Sequence, residues 1–198
     1  SKPVLEHRVM NTHKIQFILA VANHKLLVNE ILSNFKNKEE IWDQFSQTKW
    51  KNNWWSPEEI FITNILRISG EDVHNYTNAL FARFIREDEE EFARRFYLNE
   101  DQISDMANVG MTIGGHGHVS ENLLSIGDTS EDIAKSKKFI SRFSDTFVFS
   151  YPNGGYNESI KKDLESNGCI LSYTTKPQTL TDLDKVDLLE FPRYDGPQ

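Results

Sequence analysis

The segment Ile113-Gly114-Gly115-His116-Gly117-His118-Val119-Ser120-Glu121-Asn122-Leu123 sets glycines on both sides of a histidine. Such glycines let the backbone turn sharply and leave an imidazole accessible, as a metal ligand or a catalytic base requires. His116 and His118, two residues apart, are spaced to chelate one metal ion from an extended segment. A second segment, Tyr151-Pro152-Asn153-Gly154-Gly155-Tyr156-Asn157, joins a proline to two glycines. It reads either as a tight strand-to-helix turn or as a loop whose backbone N–H groups hold an oxyanion in acyl transfer.

The elements that must position these loops are legible as a change of period. Residues 111–114 read as a strand and 129–143 as a helix, with Glu131 and Asp132 in its first turn and Lys135, Lys137, Lys138 and Arg142 later, which suits the helix dipole. Residues 146–151 read as a strand, 157–167 as a helix capped by Asn157 and ended by Gly168, and 169–174 as a strand. This βαβαβ order over 108–198 predicts a parallel sheet, with ligands beyond the carboxyl ends of the strands. Both loops fall there. Residues 11–107 read as helical, including a Ser56-Pro57-Glu58-Glu59 start. Trp42, Trp50, Trp54 and Trp55 lie between the helical segments, as a sugar-stacking platform or as core or subunit contact. The acidic run from Glu87 to Glu91 reads as a solvated helix face.

Ile113-Gly114-Gly115-His116-Gly117 with Asn122-Leu123 resembles the second motif of the polysaccharide deacetylases (the NodB-homology domain, carbohydrate esterase family four). Phe149-Ser150-Tyr151-Pro152-Asn153-Gly154-Gly155-Tyr156-Asn157 resembles the third. The likeness extends from Phe96-Tyr97-Leu98-Asn99 to Met111 and takes in Phe191-Pro192-Arg193-Tyr194-Asp195. It implies a partial or distorted (β/α) barrel, here with a large helical insertion in the first half. It also implies a hydrolase that removes N-acetyl groups from amino sugars of a surface or cell-wall polysaccharide. In that family a divalent metal, usually zinc, activates water, an Asp is the base and the N–H after the third-motif proline holds the oxyanion. Carried over, Asn153, Tyr151 and Arg193 would be catalytic, Pro152, Gly154 and Tyr156 would line the substrate, and His116 would bind metal.

This sequence departs from the family at three places. Ser120 stands where the second metal histidine belongs, which leaves His118 as its replacement. No Asp-Asp pair matches the family's opening Thr-Phe-Asp-Asp-Gly strand, and no histidine follows His118 to supply the late Leu-x-x-His motif. Either the chain is a piece that lacks the first strand of a single deacetylase-like domain, or the site has been lost. The rival expectation is a catalytically inactive carbohydrate-binding or scaffold protein of the same fold. A homodimer through the Trp- and Phe-rich helical half is a further expectation.

Composition narrows the partners. Thirty acidic against 22 basic residues give a net charge of −8, which argues against nucleic acid or an anionic membrane surface. No apolar run spans a bilayer and no signal peptide is visible, so a soluble protein is expected, its compartment left open with the cytoplasm slightly favoured. The single cysteine, Cys169, lies in an apolar stretch and reads as a small core residue.

Overall fold

The computed structural model describes residues 1–34, 55–67, 71–179 and 186–194. The chain divides into two compact units, Arg8–Ala93 and Ser1–His7 with Arg94–Gln198. Trp42, Trp50, Trp54 and Asp195 lie outside the described residues.

The first unit is helical: α2 (Asn11–Val21), α3 (His24–Asn34), α4 (Pro57–Leu66), α5 (Glu71–Ile85) and the start of α6 (Glu89–Phe96). The short α1 (Lys2–Glu6) belongs to the other unit. Helix α4 starts as a capping box: Ser56 Oγ accepts from the Glu59 N–H and Glu59 Oε2 from the Ser56 N–H, with Pro57 leading the first turn. Apolar residues at three- and four-residue steps, among them Ile15, Ile18, Leu27, Ile31, Ile62, Ile65 and Leu80, turn inward and are buried. Phe92 meets Phe17 and Phe81 edge to face at 4.9 and 5.4 Å.

The acidic run does not lie on one solvated helix. Arg86 takes a left-handed φ of 56° between α5 and α6, and Asp88 Oδ1 caps the new helix by accepting from the N–H groups of Glu90 and Glu91. Glu89 turns inward, its side chain 20% exposed. Its carboxylate lies 2.8 Å from the ammonium of Lys14, a side chain only 7% exposed, and it also accepts from the Val9 N–H and Arg8. Lys14 donates as well to Asn78 Oδ1 at 2.7 Å.

In the second unit, α7 (Glu100–Asn108) and α8 (Thr129–Ile140) precede β1 (Phe147–Ser150), α9 (Glu158–Ser166) and β2 (Cys169–Tyr173). The strands are parallel, pairing Phe149 with Ser172 and Ser150 with Tyr173. Asn157 caps α9 through the Ile160 N–H. Ile133, Phe139, Ile140, Phe147, Phe149, Ile160 and Leu164 form the core. Cys169 is buried with them, and burial pushes its thiol pKa up, so it serves as packing.

Two expectations are corrected. The helix at 129–143 ends at Ile140, with turns over the last three residues. Residues 111–114 form no strand: only Gly115 joins the sheet, as a bridge to Phe149. Met111, Thr112 and Gly114 are exposed, so no apolar burial draws them into a ladder, and glycines contribute no side chain to pack. Among the described residues no helix is long and apolar enough to cross a membrane.

Removing one partner of the inward ion pair strands a charge. Glu89→Ala should lower stability by about 2–4 kcal/mol. Lys14→Met leaves Glu89 its other donors and partial hydration, and should change stability by less than about 1 kcal/mol. Urea melts of the two variants would test this; equal losses would show that the charges do not act as a pair.

Candidate functional site

The site begins with one ladder. The Gly115 N–H donates to the Val148 carbonyl at 2.8 Å, and the Ser150 N–H donates to the Gly115 carbonyl at 2.9 Å. This parallel pairing brings the histidine loop and the 151–157 loop out at the same end of β1. Helix α8 lies under the first loop. Asp132 Oδ2 accepts from the His118 N–H at 2.8 Å and Oδ1 from the Val119 N–H at 2.9 Å. Gly117 has φ +75°, and a Cβ there would lie 2.9 Å from Asp132 Oδ2, so both conformation and space demand glycine.

His116 is oriented by β1. Its Nδ1 lies 2.8 Å from the Ser150 carbonyl, with Ser150 Oγ at the same distance. A carbonyl only accepts, so Nδ1 carries the hydrogen and the neutral ring presents Nε2 as a lone pair. The residue is exposed, yet neighbouring atoms partly desolvate the ring and pull its pKa below the ordinary 6.5; the Ser150 hydrogen bond opposes this and the charge of Arg193 adds to it. A neutral imidazole with one free nitrogen suits a ligand or a base. His118 is held differently, with Nδ1 2.8 Å from Ser1 Oγ, and desolvation lowers its pKa as well.

The second loop is a tight turn. Asn153 has φ 54° and is exposed at the tip, while the N–H groups of Gly154 and Gly155 donate back to the carbonyls of Tyr151 and Pro152. Pro152 is buried, its Cγ 3.4 Å from where a Gly117 Cβ would stand, so the two loops touch. A Cβ at Gly155 would overlap Asn122 Oδ1 and lie 2.6 Å from Asn122 Cγ. Asn122 Oδ1 also caps the Leu124 N–H at 3.0 Å.

The sequence-predicted residues sort as follows. His116, Pro152, Asn153 and Gly154 fall at the joined loops, and exposed Arg193 hydrogen-bonds through its N–H to the Lys176 carbonyl. Tyr156 is half-buried. Its ring stacks on Tyr151 at 4.6 Å, its hydroxyl donates to Glu190 and it accepts from Lys176. Tyr151 is 1% exposed and its hydroxyl donates to the Leu189 carbonyl at 2.8 Å, so its side chain packs in the core instead of facing the loops' surface. Burial raises its pKa. Three residues that sequence reasoning left without a role, Ser150, Asp132 and Asn122, hold the loops.

His116 fits a metal site as a single ligand. Among the described residues no group of three or more His, Cys, Asp or Glu side chains is gathered to hold an ion, short of the three protein ligands that a zinc site needs. His118 is turned to Ser1, and Ser120, with φ 63°, offers no imidazole. The described residues therefore do not by themselves compose a zinc site.

Over 87 residues, 42% of this chain, the sequence is 33% identical to a protein of Bacillus subtilis (strain 168) named "Putative polysaccharide deacetylase YxkH". The chain spans about a third of that relative's length, 31%. No family model matches the chain, and no solved structure matches it.

Two outcomes are expected. The folded His116 binds its proton more weakly than the unfolded one, so the folded state takes up less proton as pH falls through 6.5. Wild type should therefore lose stability relative to His116→Gln from about pH 7 downward, the difference levelling off below the folded pKa. An unchanged difference in melts across that range would contradict the partly desolvated, neutral ring. Gly155→Ala should lose about 1–3 kcal/mol by overpacking, and Asn122→Ala about 1 kcal/mol through its cap. The double variant should lose less than the sum, because truncating Asn122 opens the space; strict additivity would place the cause elsewhere.

Proposed function

We propose that this chain is a polysaccharide deacetylase-like hydrolase segment whose joined loops take the N-acetyl group of an amino sugar in a surface or cell-wall polysaccharide. The observation that carries the reading is the anchoring of His116 on Ser150, which sets a neutral imidazole beside the Pro152–Gly154 turn. The partial likeness to a protein named as a polysaccharide deacetylase supports it. A distorted (β/α) barrel, of which β1, β2 and the Gly115 bridge would form one part, belongs to the same proposal.

On this reading the Asn153 amide would meet the acetamide oxygen as negative charge develops on it. His116 Nε2 would face the same group, and desolvation, aided by the charge of Arg193, would favour the neutral imidazole. A zinc ion would supply an activated water when bound, yet only His116 among the described residues is placed as a ligand. The incomplete donor set among the described residues favours a second reading, in which the joined loops hold N-acetylated sugar without hydrolysing it.

Purified chain would be titrated with an N-acetylglucosamine tetramer and assayed for acetate, with and without added zinc. Binding is expected and should weaken about tenfold, the effect of about 1.4 kcal/mol, in His116→Ala. Because the described residues do not gather three ligands, this segment by itself should bind zinc weakly and release acetate only at background, even on the hydrolase reading. Zinc-dependent release abolished in His116→Gln would establish the hydrolase over the scaffold. Neither binding nor release would overturn both.

A further inference from the structure

We propose that Asp132 is a positioning residue, which sets the histidine loop by clamping two consecutive backbone amides from below. The clamp has three parts. The carboxylate is 6% exposed, and its two oxygens take the N–H groups of His118 and Val119 at 2.8 and 2.9 Å. Gly117, directly after His116, admits no side chain because Asp132 Oδ2 already fills the place of its Cβ. One helical turn on, Ser136 Oγ would be 2.9 Å from a Cβ at Gly115, so the same face of α8 supports the loop on both sides of His116.

With each oxygen turned to a loop amide, Asp132 acts on His116 through the backbone. The segment 116–119 has no strand of its own beyond the Gly115 bridge, and between its ends the Lys2 N–H adds a hydrogen bond to the His118 carbonyl at 2.9 Å. At one end stands the ladder to β1, and at the other the Asp132 clamp. A charged acceptor shared by two amides is stronger than a neutral bond, and a buried one loses most when removed. The clamp also explains why an acidic residue occupies the first turn of a helix that already has Asp128 as its cap. The consequence for ligand binding rests on the reading of this loop as a wall of the sugar groove.

The test uses Asp132→Ala and the gentler Asp132→Asn, which keeps one acceptor oxygen. Amide hydrogen exchange read by NMR should speed up by about tenfold or more at His118 and Val119 in Asp132→Ala, and less in Asp132→Asn, while β1, β2 and α9 keep their protection. Affinity for the N-acetylglucosamine tetramer should fall in the same order. Unchanged exchange at the two amides, or an equal loss across the whole unit in both variants, would overturn the proposal. If Asp132→Ala does not fold, Asp132→Asn decides by the same criterion. If the wild-type chain binds no tetramer, the groove reading fails, and the exchange pattern still decides the clamp.

Discussion

The candidate site depends on the pairing of Gly115 with β1. Two hydrogen bonds, to the Val148 carbonyl and from the Ser150 N–H, fix where the first loop leaves the sheet. Parallel pairing makes that exit coincide with the end of β1, where Pro152 and Asn153 begin the second loop. Glycine is required at the crossing, because a Cβ at Gly115 would stand 2.9 Å from Phe149 Cδ2 and 3.0 Å from Phe147 Cε2. His116 then lies within reach of Ser150 without strain in its own backbone.

Apolar burial, of Tyr151, Pro152 and Leu123, holds only part of the loops. Their other fixings are polar and specific: a carboxylate under His118 and Val119, a carbonyl against His116 and an asparagine wedged against Gly155. Such contacts are short-ranged and geometrically exacting, which suits a surface that must keep its shape with little core of its own. The helical unit handles polarity in another way, by turning Lys14 and Glu89 inward together and giving each a further partner.

Much of the secondary structure was legible in the sequence where local signals agree. Asn157, the apolar spacing of Ile160 and Leu164, and Gly168 mark α9 from both ends, and Ser56-Pro57 marks α4. Residues 111–114 misled because a run such as Met111-Thr112-Ile113 becomes a strand only where neighbours bury it. The break at Arg86 was hidden, since arginine is no helix breaker by propensity. At the site, glycines and histidines pointed to the loops, whereas the work of Asp132 was masked by a sufficient local explanation, its place in a first helical turn. Tyr151 stood in a motif-like segment, and nothing local distinguishes a tyrosine facing a groove from one facing Leu189.

The partner of His116 Nδ1 is partly main chain, and this reaches beyond orientation. A side-chain partner can be lost by a single substitution, and the proton of the imidazole would then be free to move to the other nitrogen. A carbonyl in a strand cannot be mutated away; it is withdrawn only by unpairing β1. Which nitrogen of His116 holds the proton is thus inherited from the sheet, and the chemistry open to Nε2 remains available for as long as the strand persists, whatever residue evolution tries at position 150.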